Sequence, residues 1–391
     1  MLRDVYDQIR HRNLTTLALG ILLFYAAAYS STYYALWHLL ARHSALVLGS
    51  GLVGRSLVSI GAPSLIGTLE DRWPRLAPLV LTLASLALVV SALPLPATSA
   101  MLVLRTILPA LALAGMTQSS PRPLSEDRRL ALSLGWLIDV GKVLGGISLL
   151  AVAYHPLVRA TLVAGLSIVS LALLIGSAQT RRVTSYAEEL TTVTPALLDW
   201  PLRAWVILLA CVGLTSLSGF SYDMSLTWPS GAHIFLMAAL VVVASAGAVT
   251  GTTAVLARAD FPPRRLGPVK MSYYVVASLV VIPIWELRLP ALFALGFLAA
   301  YYQQPYRSLV WLRAPAPLRG RLWSVGTTAE NVAGLVGQAL LAALYAHWGI
   351  DALAVYAPLA GVVLAVPLLL YVRHLDPAPR ATRRVPVRPV S

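Results

Sequence analysis

The sequence predicts an all-α membrane protein of twelve transmembrane helices, and three observations carry that prediction. The 391 residues are 58% hydrophobic and only 12% charged, with a mean hydropathy of +0.75, whereas soluble domains hold about 25% charged residues. Apolar runs of roughly 20 residues recur with almost no charge inside them, the length a helix needs to cross the hydrocarbon layer. They are too continuous for the alternating strands of about 10 residues that build a barrel. Finally, with the amino terminus on the cytoplasmic side, 23 of the 30 Lys and Arg fall in the segments expected on that side. The outer connections then hold Arg42, Arg159 and Arg288, and the spans hold Arg55, Arg105, Lys142 and Arg307. That asymmetry is the positive-inside bias, so the net charge of +14 reports orientation and not a nucleic-acid partner.

Residues 1–13 read as a cytoplasmic interfacial segment, and the first apolar run is longer than a cleavable signal's core. The spans fall at about 14–40, 45–69, 76–95, 100–120, 130–154 and 157–177 in a first half. A second half holds 204–222, 232–257, 267–285, 289–309, 322–345 and 351–372. Proline, glycine or charge marks most junctions. The halves so defined cover 14–177 and 204–372, with a cytoplasmic linker at 178–203 and a basic cytoplasmic tail at 373–391. The tail's four prolines and charge argue against a packed structure. A faint repeat relates the halves: Asp71, Pro74 and Arg75 recur as Asp260, Pro263 and Arg264 at an offset of 189, and Arg129-Leu130 recurs as Arg321-Leu322 at 192.

After the second span comes Gly67-Thr-Leu-Glu-Asp71-Arg72-Trp-Pro-Arg75. This string resembles the loop between the second and third helices of major facilitator superfamily transporters, with Pro74 where that family has a second glycine. Gly141-Lys142-x-x-Gly145-Gly146 in the fifth span resembles the glycine motif of the family's twelve-helix proton antiporter branch, with Lys142 in place of a proline. Arg105 stands where that branch has a motif arginine, with Pro109 replacing the glycine that follows. Tyr345-x-His347-x-Gly349 is similar to the usual family ending. The resemblance implies the major facilitator fold, with two pseudo-symmetric six-helix halves. It also implies that spans one, four, seven and ten line a central cavity, and that Gly67, Asp71, Arg72, Arg75 and Arg128 form a conformational latch on the cytoplasmic side. For Asp71 the chemistry allows acceptance from helix-end amides or pairing with Arg128 or Arg129, while plain membrane anchoring accounts for Arg72 and Arg75.

Charges at membrane depth are costly and by default face a cavity or a partner. Arg55 can hold an anionic group through its guanidinium fork, or serve in a structural pair. Asp139 and Lys142, three apart on one helix, are within pairing reach. They read either as a neutral structural unit or as a proton carrier whose protonation frees Lys142 for an anion. Glu330 has no basic neighbour within a helical turn and is a candidate for proton coupling or substrate binding. Arg105 is expected to brace the halves or support the proton site. Tyr25, Tyr29 and Tyr33 share one face of the first span, and Tyr302, Gln303 and Gln304 sit in the tenth. Of these, Tyr29, Tyr302, Gln303 and Gln304 are candidates to line a substrate site, whereas Tyr34, Trp37 and Trp311 read as interfacial aromatics. The polar stretch 215–222 marks a place where span seven could unwind.

Other chemistries find no support. Seven histidines make no paired metal spacing, Cys211 is the single cysteine, and no phosphate-binding loop is present. No metal or other cofactor is expected, and the chain is not expected to be an enzyme. The expected function is secondary transport of a small organic, anionic or zwitterionic solute by alternating access, coupled to protons, with a lean to export. Anion uptake and multidrug or cation export are the alternatives, and a non-transporting sensor or membrane enzyme is a remoter one. The expected setting is the plasma (inner) membrane, multi-pass and in contact with membrane lipid, as a monomer with both termini cytoplasmic.

Overall fold

The computed structural model describes residues 14–42, 45–94, 98–119, 128–150, 155–178, 234–258 and 285–313, with scattered residues between 269 and 348. Its helices are α1 (Thr15–Arg42), α2 (Ala45–Arg72), α3 (Ala77–Ala92), α4 (Ser99–Ser119), α5 (Arg128–Ser148), α6 (Pro156–Ala178), α7 (Ile234–Leu256) and α8 (Trp285–Arg313). They correspond to the first six predicted spans, the eighth and the tenth, each within a few residues at its ends. No strand occurs among the described residues. The predicted spans seven and twelve, the interfacial segment, the linker and the tail lie outside the described residues, as does most of spans nine and eleven.

Composition explains why these segments are helices in lipid. Among the described residues, four stretches are long and apolar enough to cross a membrane: Thr15–Leu39, Ser99–Thr117, Leu157–Ser177 and Ile234–Leu256. Leu79, Leu83 and Leu86 on α3 and Leu157, Leu162 and Ile168 on α6 point outward and are exposed. So much outward leucine suits hydrocarbon and not water, and the chain is an integral, multi-pass membrane protein. Several hydroxyls inside the helices are satisfied locally. Thr32 donates to the Ala28 carbonyl at 2.9 Å and Thr106 to that of Leu102 at 2.9 Å, which removes the cost of a bare hydroxyl in lipid.

Helix ends follow their sequence. The Thr98 hydroxyl accepts the Met101 amide at 3.4 Å ahead of α4, and His155 Nδ1 accepts the Leu157 amide at 3.2 Å ahead of α6. Between α2 and α3, Pro74 opens a single 3-10 turn, Pro74–Leu76. A proline is tolerated there because the first position of a turn needs no amide donor.

α1 is the centre of the first six helices, packing on α5, α6 and α4. On α5, an added Cβ at Gly141 would lie 3.1 Å from the Leu22 carbonyl oxygen, and one at Gly145 3.0 Å from that of Ala26. Small residues at these positions let the two backbones touch. From α6, Ser170 donates to the Gly20 carbonyl on α1 at 2.8 Å. The opposite face of α5 packs on α7, where Gly146 meets Val241 and Val242. α7 and α8 approach still more closely. A Cβ at Gly247, Gly251 or Gly296 would overlap the backbone carbonyls of Phe293, Phe297 and Ala244 respectively. Among the described residues, α5 makes the main contact of the first six helices with α7 and α8.

Candidate functional site

Asp139 lies on the α5 face that meets α7, with its side chain 3% exposed. Each carboxylate oxygen has a donor. Lys142 Nζ is 2.8 Å from Oδ1, one helical turn along. The Thr252 hydroxyl of α7, itself fully buried, donates to Oδ2 at 2.7 Å. Both distances are those of charge-assisted hydrogen bonds. Beside this pair, Trp136 Nε1 donates to the Thr253 hydroxyl at 3.1 Å. Two consecutive threonines of α7 are therefore hydrogen-bonded to two side chains one turn apart on α5.

Lys142 is the more open member of the pair, with 25% of its side chain exposed. Its ammonium lies 5.6 Å from the centre of the Tyr29 ring on α1. Tyr29 belongs to a ladder in which Tyr25, Tyr29 and Tyr33 follow at ring separations of 6.1 and 5.7 Å. Tyr25 and Tyr29 are half-buried, whereas Tyr33 is buried. The arrangement offers a cation, aromatic faces and a buried carboxylate within one cluster between α1, α5 and α7. Its chemistry is that of a cation beside aromatic faces, next to a carboxylate held by two donors.

The other predicted site residues are distributed over the bundle. Arg55 is half-buried on α2, which packs against α4. Arg105 is buried on α4 and donates through Nη2 to the Leu93 carbonyl at 2.8 Å, at the end of the bundle opposite Arg75. Tyr302 is half-buried on α8, next to buried Tyr301, which receives a hydrogen bond from Arg258. Gln303 and Gln304 continue the same helix, but their side chains are outside the described residues, as is Glu330. Gly67, Asp71 and Arg72 occupy the last turns of α2 and Arg128 opens α5, again without described side chains; Arg75 is exposed in the turn that follows α2.

Two expectations require correction. Arg159 and Arg288 were assigned to outer connections, but both are buried within helices, 1% and 3% exposed. Tyr34 was assigned to an interfacial belt, yet it is buried with the Arg159 guanidinium stacked 3.4 Å from its ring centre. Thr252 went unnoticed. Its hydroxyl sits in a run of small and apolar residues, and the threonine pair at 252–253 beside Gly251 was the available signal.

No protein-family model matches the sequence, and no curated protein matches it. Solved structures do match the fold. The nucleoside transporter NupG, crystallised in a mutant form, superposes with a TM-score of 0.66 over 91% of this chain and 99% of its own, at 11% identity. The human organic anion transporter MFSD10 superposes with a TM-score of 0.60 over 90% of this chain and 98% of its own, at 15% identity. The chain therefore has the major facilitator fold, as the loop string at Gly67–Arg75 implied.

Proposed function

We propose that this protein is a secondary transporter, not an enzyme, that moves a small organic anion or zwitterion by alternating access coupled to protons, with a lean to export. The observation that carries the reading is the buried Asp139 carboxylate, shared between Lys142 on α5 and Thr252 on α7. In alternating access the two six-helix halves, 14–177 and 204–372, rock against each other, and α5 and α7 belong to different halves. The Thr252–Asp139 bond then spans the moving interface. A proton arriving on Asp139 removes its charge, weakens both bonds and frees the Lys142 ammonium to bind an anionic group beside Tyr29. Loss of that proton restores the pair and displaces the anion. Arg55, Tyr302, Gln303 and Gln304 are proposed to complete the substrate site, with Glu330 and Arg105 supporting proton coupling. Gly67, Asp71, Arg72, Arg75 and Arg128 are proposed to form the cytoplasmic latch.

The two solved structures of similar fold are named for transport of nucleosides and of organic anions, and both solute classes suit a site of tyrosine faces beside a cation. The proposed setting is the inner membrane with both termini cytoplasmic, as a monomer. A thermal-shift screen of purified protein against organic anions, cations and neutral solutes tests the reading. Stabilisation by anions that is lost in Arg55→Ala and Lys142→Met supports it. Stabilisation by lipophilic cations, untouched in Arg55→Ala but lost in Glu330→Gln, replaces it with a cationic exporter.

A further inference from the structure

A second basic centre lies away from Lys142, at the opposite-to-Arg75 end of the first six helices. Arg159, in the first turn of α6, is 1% exposed, and its guanidinium stacks on Tyr34 of α1 at 3.4 Å from the ring centre. Arg105 of α4, 3% exposed, is buried at the same end of the bundle, where it donates to the Leu93 carbonyl at 2.8 Å. On α1, Tyr34 also carries the His38 ring edge-on at 4.4 Å, and Trp37 packs on the same histidine at 4.7 Å. The described groups facing Arg159 are thus cationic, aromatic or neutral, and no described carboxylate is among them.

Two cations buried at one end of the bundle lose their hydration and repel each other. The helix start adds to the imbalance, because the first turn of α6 carries the positive end of its backbone dipole. The Tyr34 face offsets part of this through its quadrupole. Arg159 nevertheless leaves Nε and Nη2, both shielded from solvent, without a hydrogen-bond partner among the described residues. Guanidinium donors left open in this way mark a place for an acceptor that carries negative charge.

We propose that Arg159, with Arg105 and Tyr34, forms a binding site for a small monovalent anion between α1, α4 and α6, separate from the Lys142 centre. Its near-complete enclosure selects a halide or a one-carbon or two-carbon carboxylate over a larger organic solute. The anion accepts from Arg159 Nε and Nη2 and screens the two guanidiniums from each other, holding the three helices together. The site does not depend on what the Lys142 centre carries.

The test uses full-length purified protein, unfolded by heat and followed by tryptophan fluorescence. Chloride, bromide and acetate are each titrated against gluconate at constant ionic strength. The expected result is a saturable rise in melting temperature with one or more of the three ions. In Arg159→Gln the half-saturating concentration should rise about tenfold or more, the loss expected for a charge-assisted hydrogen bond. The control Arg384→Gln, in the basic tail, should titrate like the wild type. A response that never saturates, or one unchanged in Arg159→Gln, overturns the proposal. If Arg159→Gln fails to fold, crystals of the wild type grown in bromide decide the matter: an anomalous peak between Arg105 and Arg159 supports the site, and its absence overturns it.

Discussion

Replacing Thr252 by valine isolates the hydrogen bond that ties α7 to α5. Valine nearly matches threonine in volume, so the change opens no cavity and removes only the hydroxyl. That hydroxyl donates to Asp139 Oδ2 at 2.7 Å, from a residue that is fully buried to one that is 2% exposed. Without it, one oxygen of a buried carboxylate loses its donor across the helix interface. Hydrogen bonds to charged groups contribute about 1.5–3 kcal/mol, whereas interhelical bonds inside membranes average about 0.6 and reach about 1.7. The charge on Asp139 places this bond at the top of the membrane range, so the expected coupling is about 1.5 kcal/mol. The assay is reversible denaturant unfolding in micelles on a double-mutant cycle of Thr252→Val and Asp139→Asn. A coupling below about 0.5 kcal/mol, within the error of additivity, would refute the reasoning that the bond links the two helices energetically.

Four further outcomes are expected. Lys142→Met leaves Asp139 Oδ1 without its lysine and should lower unfolding stability by about 1–3 kcal/mol; adding Asp139→Asn should recover much of the loss, because removing both charges spares an unpaired one. Gly251→Ala drives a Cβ into the Phe297 carbonyl and should destabilise by about 1–3 kcal/mol, measured by the same unfolding. Gly165→Ala, whose Cβ meets nothing within 4 Å, should be neutral or stabilise by up to about 1 kcal/mol from helix propensity. Trp136→Phe removes the donor to Thr253 and should cost about 0.6 kcal/mol if that bond is average for a membrane.

The helices were legible because lipid imposes one simple rule, a long apolar run, and α1, α4, α6 and α7 obey it directly. α2 and α5 were legible too, although Arg55 and Pro63 interrupt one and Asp139 and Lys142 the other. Local pairing was also within reach: residues three apart on a helix are neighbours, and Asp139 does pair with Lys142. What crosses between helices was not legible. Thr252 reaches Asp139 from 113 positions away, and nothing in a single sequence announces that register. The glycines of the fifth span stood out as a motif, but the division of labour did not. Gly141 and Gly145 face α1, while Gly146 faces α7, a distinction set by the angle at which three helices meet. Arg159 was misread for a related reason. The rule that places cations outside the membrane is statistical, and this one is drawn inward by the face of Tyr34.

The measurement closest to the central claim is solute-driven proton movement in proteoliposomes that enclose a pH-sensitive dye. Pools of organic anions, neutral solutes and organic cations are added in turn to liposomes bearing wild type or Asp139→Asn. The account predicts a pH change on adding anions to wild type, and none in Asp139→Asn that still folds and binds. A pH change evoked by cations alone, or anion-evoked flux that survives in Asp139→Asn, would contradict it.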